Sequence, residues 1–416
     1  MSTQASSHPV EIMAPAGSFE ALAAAINAGC NSVYFGVEQL NMRARSSINF
    51  TTDDLQEITQ RCAAHGVKAY LTLNTVLYDH DIRLMKTLVD AAKASGVSAI
   101  IASDHAAMSY CRKVGMPVHI STQANVTNIE TVEFYADYAD VMVLSRELSL
   151  RQVAHITREI QRQNITGPSG NPVRIEVFAH GALCMAVSGK CYLSLHSNNA
   201  SANRGACIQN CRKEYIVIDK EEGNELEIDN EYIMSAKDLC TIGFLDKVVD
   251  AGVQILKIEG RGRSADYVDV TTRCYREALD SLADGTFNQE KVADWTERLA
   301  TVYNRGFWDG YYLGRKMGEW NDSYGSKATE KKIYLGRGVK YFNKIGVGEF
   351  VLESHTLSKD DKILITGPTT GVINASVQEL RLDDHAVNEV NKGDTFSMPV
   401  SETIRPSDKL YKIVKA

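Results

Sequence analysis

From the amino terminus to about residue 260, short and almost wholly apolar runs alternate with stretches whose apolar residues recur at helical spacing. Such a pattern specifies parallel strands joined by helices, because a strand covered on both faces has no polar side to present to water. Eight runs fit: VEIMAPAG (10–17), SVYFG (32–36), VKAYLTLN (67–74), SAIIAS (98–103), PVHISTQ (117–123), DVMVLS (140–145), RIEVFAHG (174–181) and QILKIEG (254–260). Between them, segments such as SFEALAAAINAGC and DDLQEITQRCAAHG carry an apolar stripe and end near a glycine, a common helix stop. Eight strands predict an α/β fold of the TIM-like (β/α)8 barrel class, with an open doubly wound sheet as the alternative.

Beyond the eighth run, DYVDVTTRCYREALDSL and QEKVADWTERLATVYNRGF read as amphipathic helices. From about residue 331 the pattern changes to short strands separated by Gly, Asp and Asn turns, as in IGVGEFVLES, DKILITG, GVINASVQEL, DTFSMPV and KLYKIVK. The reading is a barrel domain over 1–325 and a small antiparallel β-barrel over 331–416. In a (β/α)8 barrel the functional groups gather at the carboxyl ends of the strands. That rule selects Gly17, Asn74, Gln123 and nearby Asn125, Ser145 to Glu147, His180, and Glu259 with Arg261. More than 70 residues separate the last two strands, so a large insertion, at about 181–250, belongs at the barrel mouth.

Composition narrows the chemistry. The 416 residues carry a formal charge of −7, with 23% charged and 44% hydrophobic side chains, which excludes a generally basic nucleic-acid binder. The small domain, with 13 basic and 11 acidic residues, is slightly positive, and Lys331, Lys332, Arg337, Lys340 and Lys344 cluster at its start. Phosphate contact and a solvated surface both account for them. MSTQASSHPV lacks the features of a signal peptide, and no apolar run reaches the 18 or so residues of a membrane span. A cytoplasmic protein without membrane contact is expected.

The insertion holds the strongest signal. Cys184, Cys191, Cys207 and Cys211 fall within 33 residues, and Cys240 follows in SAKDLC. In a reducing compartment such clustering points to metal ligation. Only Cys207 and Cys211 have the spacing of a zinc knuckle, whereas an iron-sulfur cluster accepts dispersed thiolates, here Cys184, Cys191, either Cys207 or Cys211, and Cys240. Iron-sulfur is the favoured reading, with zinc or free thiols as alternatives. Cys30, Cys62, Cys111 and Cys274 lie at core-like positions.

Glu176, Phe178, Gly181, Ala182, Leu183, Cys184, Gly189, Cys191, Leu193 and Ser194 resemble, in order and spacing, the signature of the collagenase-like peptidase family U32. APAGSFEALAAAINAGCNSVYFG, SAKDLC, KIEGR and NRGFWDGYYLG are similar to the same family, so the resemblance covers residues 10 to 315. It implies one of two activities. Some members are reported as collagenases; others are oxygen-independent hydroxylases with a [4Fe-4S] cluster, acting on a tRNA wobble uridine, a ribosomal RNA cytidine or ubiquinone precursors. The overall plan is most similar to the wobble-uridine hydroxylases, which implies tRNA as partner and prephenate as a small carboxylate co-substrate. The oligomeric state is left open.

The resemblance also implies Cys184, Cys191, Cys207 and Cys240 as ligands, with Cys211 competing with Cys207. The family usually runs Cys-x-Gln-Pro-Cys-Arg there, and Asn210 in place of proline is expected to loosen the turn. On the hydroxylase reading Arg43, Arg45 and Arg261 would hold carboxylates or phosphates. Glu259 would accept a proton or fix Arg261, and His180 would donate to a cluster ligand or merely cap its strand. Asn74, Gln123 and Asn125 suit a nucleobase edge, although buried amides also act as spacers. The sequence contains no HExxH and no GxSxG, and a cysteine protease would have to use His180 as base to Cys184. A non-catalytic iron-sulfur accessory protein is the third reading.

Overall fold

All eight apolar runs become parallel strands of one closed sheet. The structure, a computed structural model, describes residues 10–45, 49–216, 220–221, 234–314, 318–322 and 325–416. The opening MSTQASSHP lies outside the described residues. The strands are β1 (Glu11–Pro15), β2 (Ser32–Phe35), β3 (Lys68–Leu73), β4 (Ala99–Ala102), β5 (Val118–Ile120), β6 (Val141–Val143) and β7 (Arg174–Gly181). After a short extra strand, β8 (Asp238–Cys240), comes β9 (Ile255–Ile258). Each of β1 to β7 pairs with the next, and β9 pairs in parallel with both β7 and β1. This closure makes a barrel and excludes the open sheet. β8 folds back antiparallel onto the end of β7 and is itself joined by β10 (Phe307–Trp308).

Among the described residues ten helices accompany the strands: α1 (Phe19–Asn27), α2 (Leu55–Ala64), α3 (Ile82–Ala94), α4 (His105–Val114), α5 (Ile129–Ala136), α6 (Leu150–Gln163), α7 (Leu193–Asn198), α8 (Leu245–Asp250), α9 (Ala265–Ala283) and α10 (Gln289–Thr301). Local sequence sets their limits. In α6, Ser149 and Gln152 form a reciprocal cap, Val153, Ile156 and Ile160 are buried on one face, and left-handed Asn164 ends the helix. The barrel interior is filled by Met13, Tyr34, Tyr70, Ala99, Ile101, Val141 and Ile255. A larger core lies between strands and helices and includes Cys30, Cys62, Cys111 and Cys274, as their spacing predicts. No helix among the described residues is long and apolar enough to cross a membrane.

From Glu330 onward the strands pair antiparallel, eight in one sheet and two in a separate pair, around a core that includes Leu335, Phe350, Phe396 and Leu410. This second unit docks on the side of the barrel. Leu364 and Val372 pack on Ala24 of α1 and Ala265 of α9. Asn27 donates to the Thr370 carbonyl at 3.2 Å and Arg61 to that of Pro368 at 2.6 Å. Two of its clustered cations have local duties, Lys332 pairing with Asp266 of α9 and Arg337 with Glu353.

Barrel closure brings the end of β1 against the loop after β9. A Cβ at Gly17 would overlap the Arg261 carbonyl, so only glycine fits. Gly17→Ala is expected to lower unfolding stability by on the order of 2–3 kcal/mol in a urea titration. Gly243→Ala, whose Cβ would meet only a Val292 methyl at 3.8 Å, is the near-neutral control.

Candidate active site at the barrel mouth

The carboxyl ends of the strands and the insertion enclose a cavity of ≈ 640 Å³. Tyr34, Thr72, Ile101, Phe178 and Lys257 come from the strands, while Cys184, Cys191, Cys207 and Cys211 come from the insertion. Its ionisable lining is lopsided: Arg43, Arg146, Lys190, Arg212, Lys257, Arg261, Arg263 and Arg305 face only Glu147 and Glu259. An acidic chain therefore presents a cationic pocket.

Most of these cations are held by specific partners. At the base, buried Lys257 pairs with fully buried Glu176 at 2.7 Å, its ammonium 4.6 Å from the Tyr34 ring centre. Arg261 donates to Asn41 Oδ1 at 3.0 Å and Thr72 Oγ1 at 2.7 Å. Burial, reinforced by the Arg43 charge, pushes its guanidinium down to about 10. Arg146 lies 3.7 Å over the Phe178 ring and donates to the Ala182 carbonyl at 2.8 Å. Arg212 clamps the insertion by donating to the carbonyls of Leu183 and Ala236 at 2.7 and 2.6 Å.

Glu259 pairs with Arg43 at 2.6 Å, whereas Arg261 uses Asn41 and Thr72; the expected Glu259–Arg261 pairing is thus corrected. Burial alone would raise the Glu259 carboxyl, but Arg43, with Arg146 and Arg263 behind it, reverses that and holds it at about 2. A carboxylate so acidic is a poor proton acceptor at neutral pH, and its evident work is to orient Arg43. Asn74 donates to Gln123 Oε1 at 3.0 Å and to Ser121 Oγ at 3.2 Å, so the two amides form one unit facing the cavity.

Four sequence candidates lie elsewhere. Arg45 is exposed at the edge of its loop, outside the cavity lining, its amide donating to the Gly205 carbonyl at 3.1 Å. Asn125 adopts a left-handed turn (φ 58°) and accepts from Ser145 at 2.5 Å, which directs it away from the cavity. His180 points outward beneath β8, packed against Tyr267, Tyr275 and Phe307. Burial lowers its imidazole to about 3, so it is neutral at ordinary pH. Cys240 is also buried there, its thiol pushed up to about 11 by desolvation. The antiparallel return of β8 places Cys240 opposite His180, behind the mouth, instead of beside the other thiols.

Cys211, the expected competitor of Cys207, lines the cavity together with it, whereas Cys240 lies outside that lining. Cys211 borders the cavity with Cys184, Cys191 and Cys207, and its pKa is raised by burial and by those three thiols, against the opposing charge of Arg212. Asn210 is tied on both sides: its amide donates to Ser197 Oγ at 2.5 Å and its carbonyl accepts from Tyr215 at 2.7 Å. Four soft donors on one wall suit a soft-metal group chemically. Among the described residues no three His, Cys, Asp or Glu side chains converge closely enough to hold a single metal ion. Sequence reasoning gave no role to Lys257, Arg263 or Arg305, although Lys257 opens KIEGR, Arg263 follows it, and Arg305 lies in NRGFWDGYYLG and arrives from the loop before β10.

Residues 17–322 match the model of peptidase family U32. The chain belongs to peptidase family U32. This U32 protein is 58% identical over 405 residues to a protein named collagenase from Porphyromonas gingivalis, covering 97% of this chain and 98% of that one. It is 30% identical over 311 residues to tRNA hydroxylation protein P1 of Bacillus subtilis, covering 73% and 71% of the two chains. Identity to tRNA hydroxylation protein P of Escherichia coli is 28% over 400 residues, covering 82% and 84%.

Acid should destabilise this U32 fold in two stages. The unfolded chain protonates His119 and His180 near pH 6.5, whereas in the folded chain both stay neutral until about 3, so stability falls as pH drops through that window. Between about 4.5 and 2, protonation of Glu259 removes a further contribution. Urea titrations across pH are expected to show Glu259→Gln less stable than the native protein at pH 7, with the gap shrinking below pH 4.5. A gap independent of pH would contradict the assignment of Glu259 as an ionised partner of Arg43.

Proposed function

We propose that this U32 protein is an iron-sulfur-dependent, oxygen-independent RNA hydroxylase that forms 5-hydroxyuridine at the tRNA wobble position. The observation that carries the reading is the convergence of four thiols and eight basic residues on one cavity at the barrel mouth. A cationic pocket in an acidic protein selects a polyanion, and the tRNA hydroxylation relatives supply the substrate class. Cys184, Cys191, Cys207 and Cys211 would hold a [4Fe-4S] cluster. Such a cluster would supply electron transfer beside the bound base. Arg43, fixed by Glu259, and Arg261, fixed by Asn41 and Thr72, bind the phosphate or carboxylate groups of the reactants. The Asn74–Gln123 pair presents amide donors and acceptors to a base edge. Replacing C5–H by C5–OH adds one oxygen atom and withdraws two electrons from the base, so the reaction takes an oxygen-atom donor that is itself reduced by two electrons, and a small carboxylate such as prephenate is proposed as a co-substrate.

The 58% identity to a protein named collagenase favours a peptidase as the second reading. The geometry gives it less. Among the described residues no hydrogen bond joins a histidine to any cavity cysteine, and His180 faces Tyr275 at 3.5 Å. A thiol without a base is a weak nucleophile at neutral pH.

Protein purified without oxygen is expected to contain about four irons and four sulfides per chain. Cys184→Ala and Cys211→Ala should lose them, whereas Cys240→Ala should keep the iron content of its folded fraction. Transfer RNA from cells lacking the gene should lack 5-hydroxyuridine, restored by the native chain and not by Cys184→Ala. Unchanged nucleosides, together with gelatin cleavage that survives complete removal of iron, would establish the peptidase instead.

A further inference from the structure

The cavity is cationic inside and apolar at its rim. Tyr192 is 72% exposed and Leu193 39%, and both line the cavity mouth, while Tyr78 at 51% and Val76 at 46% lie beyond that lining and join it through Asn203 and Arg204. They form one continuous surface. The Asn203 carbonyl accepts from Val76 N at 3.1 Å, while the Asn203 side chain accepts from Cys191 N at 3.3 Å, next to Tyr192. Arg204 donates to the Val76 carbonyl at 3.1 Å and lies 4.1 Å over the Tyr78 ring. Its guanidinium is also paired with Asp81 at 2.6 Å, so it props Tyr78 in place with its charge already answered. Tyr192 and Leu193 line the cavity on one side and, on the other, a shallow hollow of ≈ 580 Å³ completed by Leu195 and His196.

We propose that this rim is a stacking platform for unpaired RNA nucleotides flanking the one whose base enters the cavity, with Tyr192 as the main shelf and Tyr78 as the second. The proposal rests on the RNA-hydroxylase reading of the cavity and adds how the strand around the target is held. Aromatic rings serve any base, since every base has a flat π-face, and the adjacent cations attract the phosphates that come with it. Charge decides among occupants. Of the eight basic residues lining the cavity, Arg43, Lys257 and Arg305 are paired with Glu259, Glu176 and Asp238, and the remaining five outnumber Glu147, which draws a polyanion. Exposed tyrosines in such a position also exclude a duplex, whose bases are already stacked on each other.

The test uses the full-length, cluster-loaded protein and fluorescence anisotropy with three probes: a labelled RNA hairpin with an unpaired loop, a fully paired RNA duplex of equal length, and an acidic peptide. The hairpin is expected to bind best. Tyr192→Ala and Tyr78→Ala are each expected to weaken hairpin binding roughly tenfold, and Tyr192→Trp to retain it. Thermal melting of each variant should match the native protein, because both rings are largely exposed; a binding loss accompanied by a lowered melting temperature would count as misfolding, and Tyr192→Phe then decides, native hairpin affinity supporting the platform and lost affinity overturning it. Native affinity in Tyr192→Ala would overturn the platform, while 5-hydroxyuridine formation by the native chain would leave the hydroxylase reading standing. Binding of the peptide in preference to the hairpin would overturn both.

Discussion

β9 is hydrogen-bonded to β1 on one side and to β7 on the other, and the site depends on that double pairing. It brings the loop after β9, with Glu259 and Arg261, across to the ends of β1 and β2 and beside the start of the insertion. The Tyr34 hydroxyl ties β2 to the Ile258 carbonyl at 2.9 Å, and Arg261 reaches Asn41 beyond β2 and Thr72 within β3. Gly17 and Gly181 let the backbone after β9 approach closely, the second with φ 105° and a Cβ position only 2.6 Å from the Glu259 carbonyl. An open sheet would carry the same residues and never assemble them.

Collecting basic groups in a partly enclosed pocket costs desolvation and mutual repulsion. The structure offsets this differently at different depths. The deepest cation, Lys257, has a full counter-charge in Glu176 and lies over aromatic faces, as a compact ammonium allows. Nearer the mouth the forked guanidinium groups of Arg146 and Arg212 donate to backbone carbonyls, and Arg263 stacks 3.5 Å from the Tyr303 ring. Carbonyls and rings orient these cations without neutralising them, which leaves the pocket positive for an incoming anion.

The fold was legible because its signal is periodic and local. Eight apolar runs and their helical spacers depend on nearest neighbours in the chain, and all eight became barrel strands. The site was legible where a side chain follows directly from a strand end, as with Asn74, Gln123, Glu259 and Arg261. It failed where the loop chooses the direction. Asn125 and Arg45 lie only two residues from lining residues, but a left-handed turn and a loop edge turn them away. Cys240 illustrates the same limit on a larger scale. Spacing cannot show that β8 would reverse onto β7 and bury that thiol, or that Asn210, beside Cys211, would be tied to Ser197.

The insertion leaves the barrel at the end of β7 and returns as β8 paired to that same strand end, Gly181 opposite Leu239. Its two ends are therefore clipped together whatever lies between them. Segments so closed at the root can lengthen, shorten or change composition across generations while the strands beneath keep their pairing. A lineage could thereby re-equip the mouth with different metal ligands or a different rim without redesigning the scaffold, and sequences sharing this architecture need not share one chemistry.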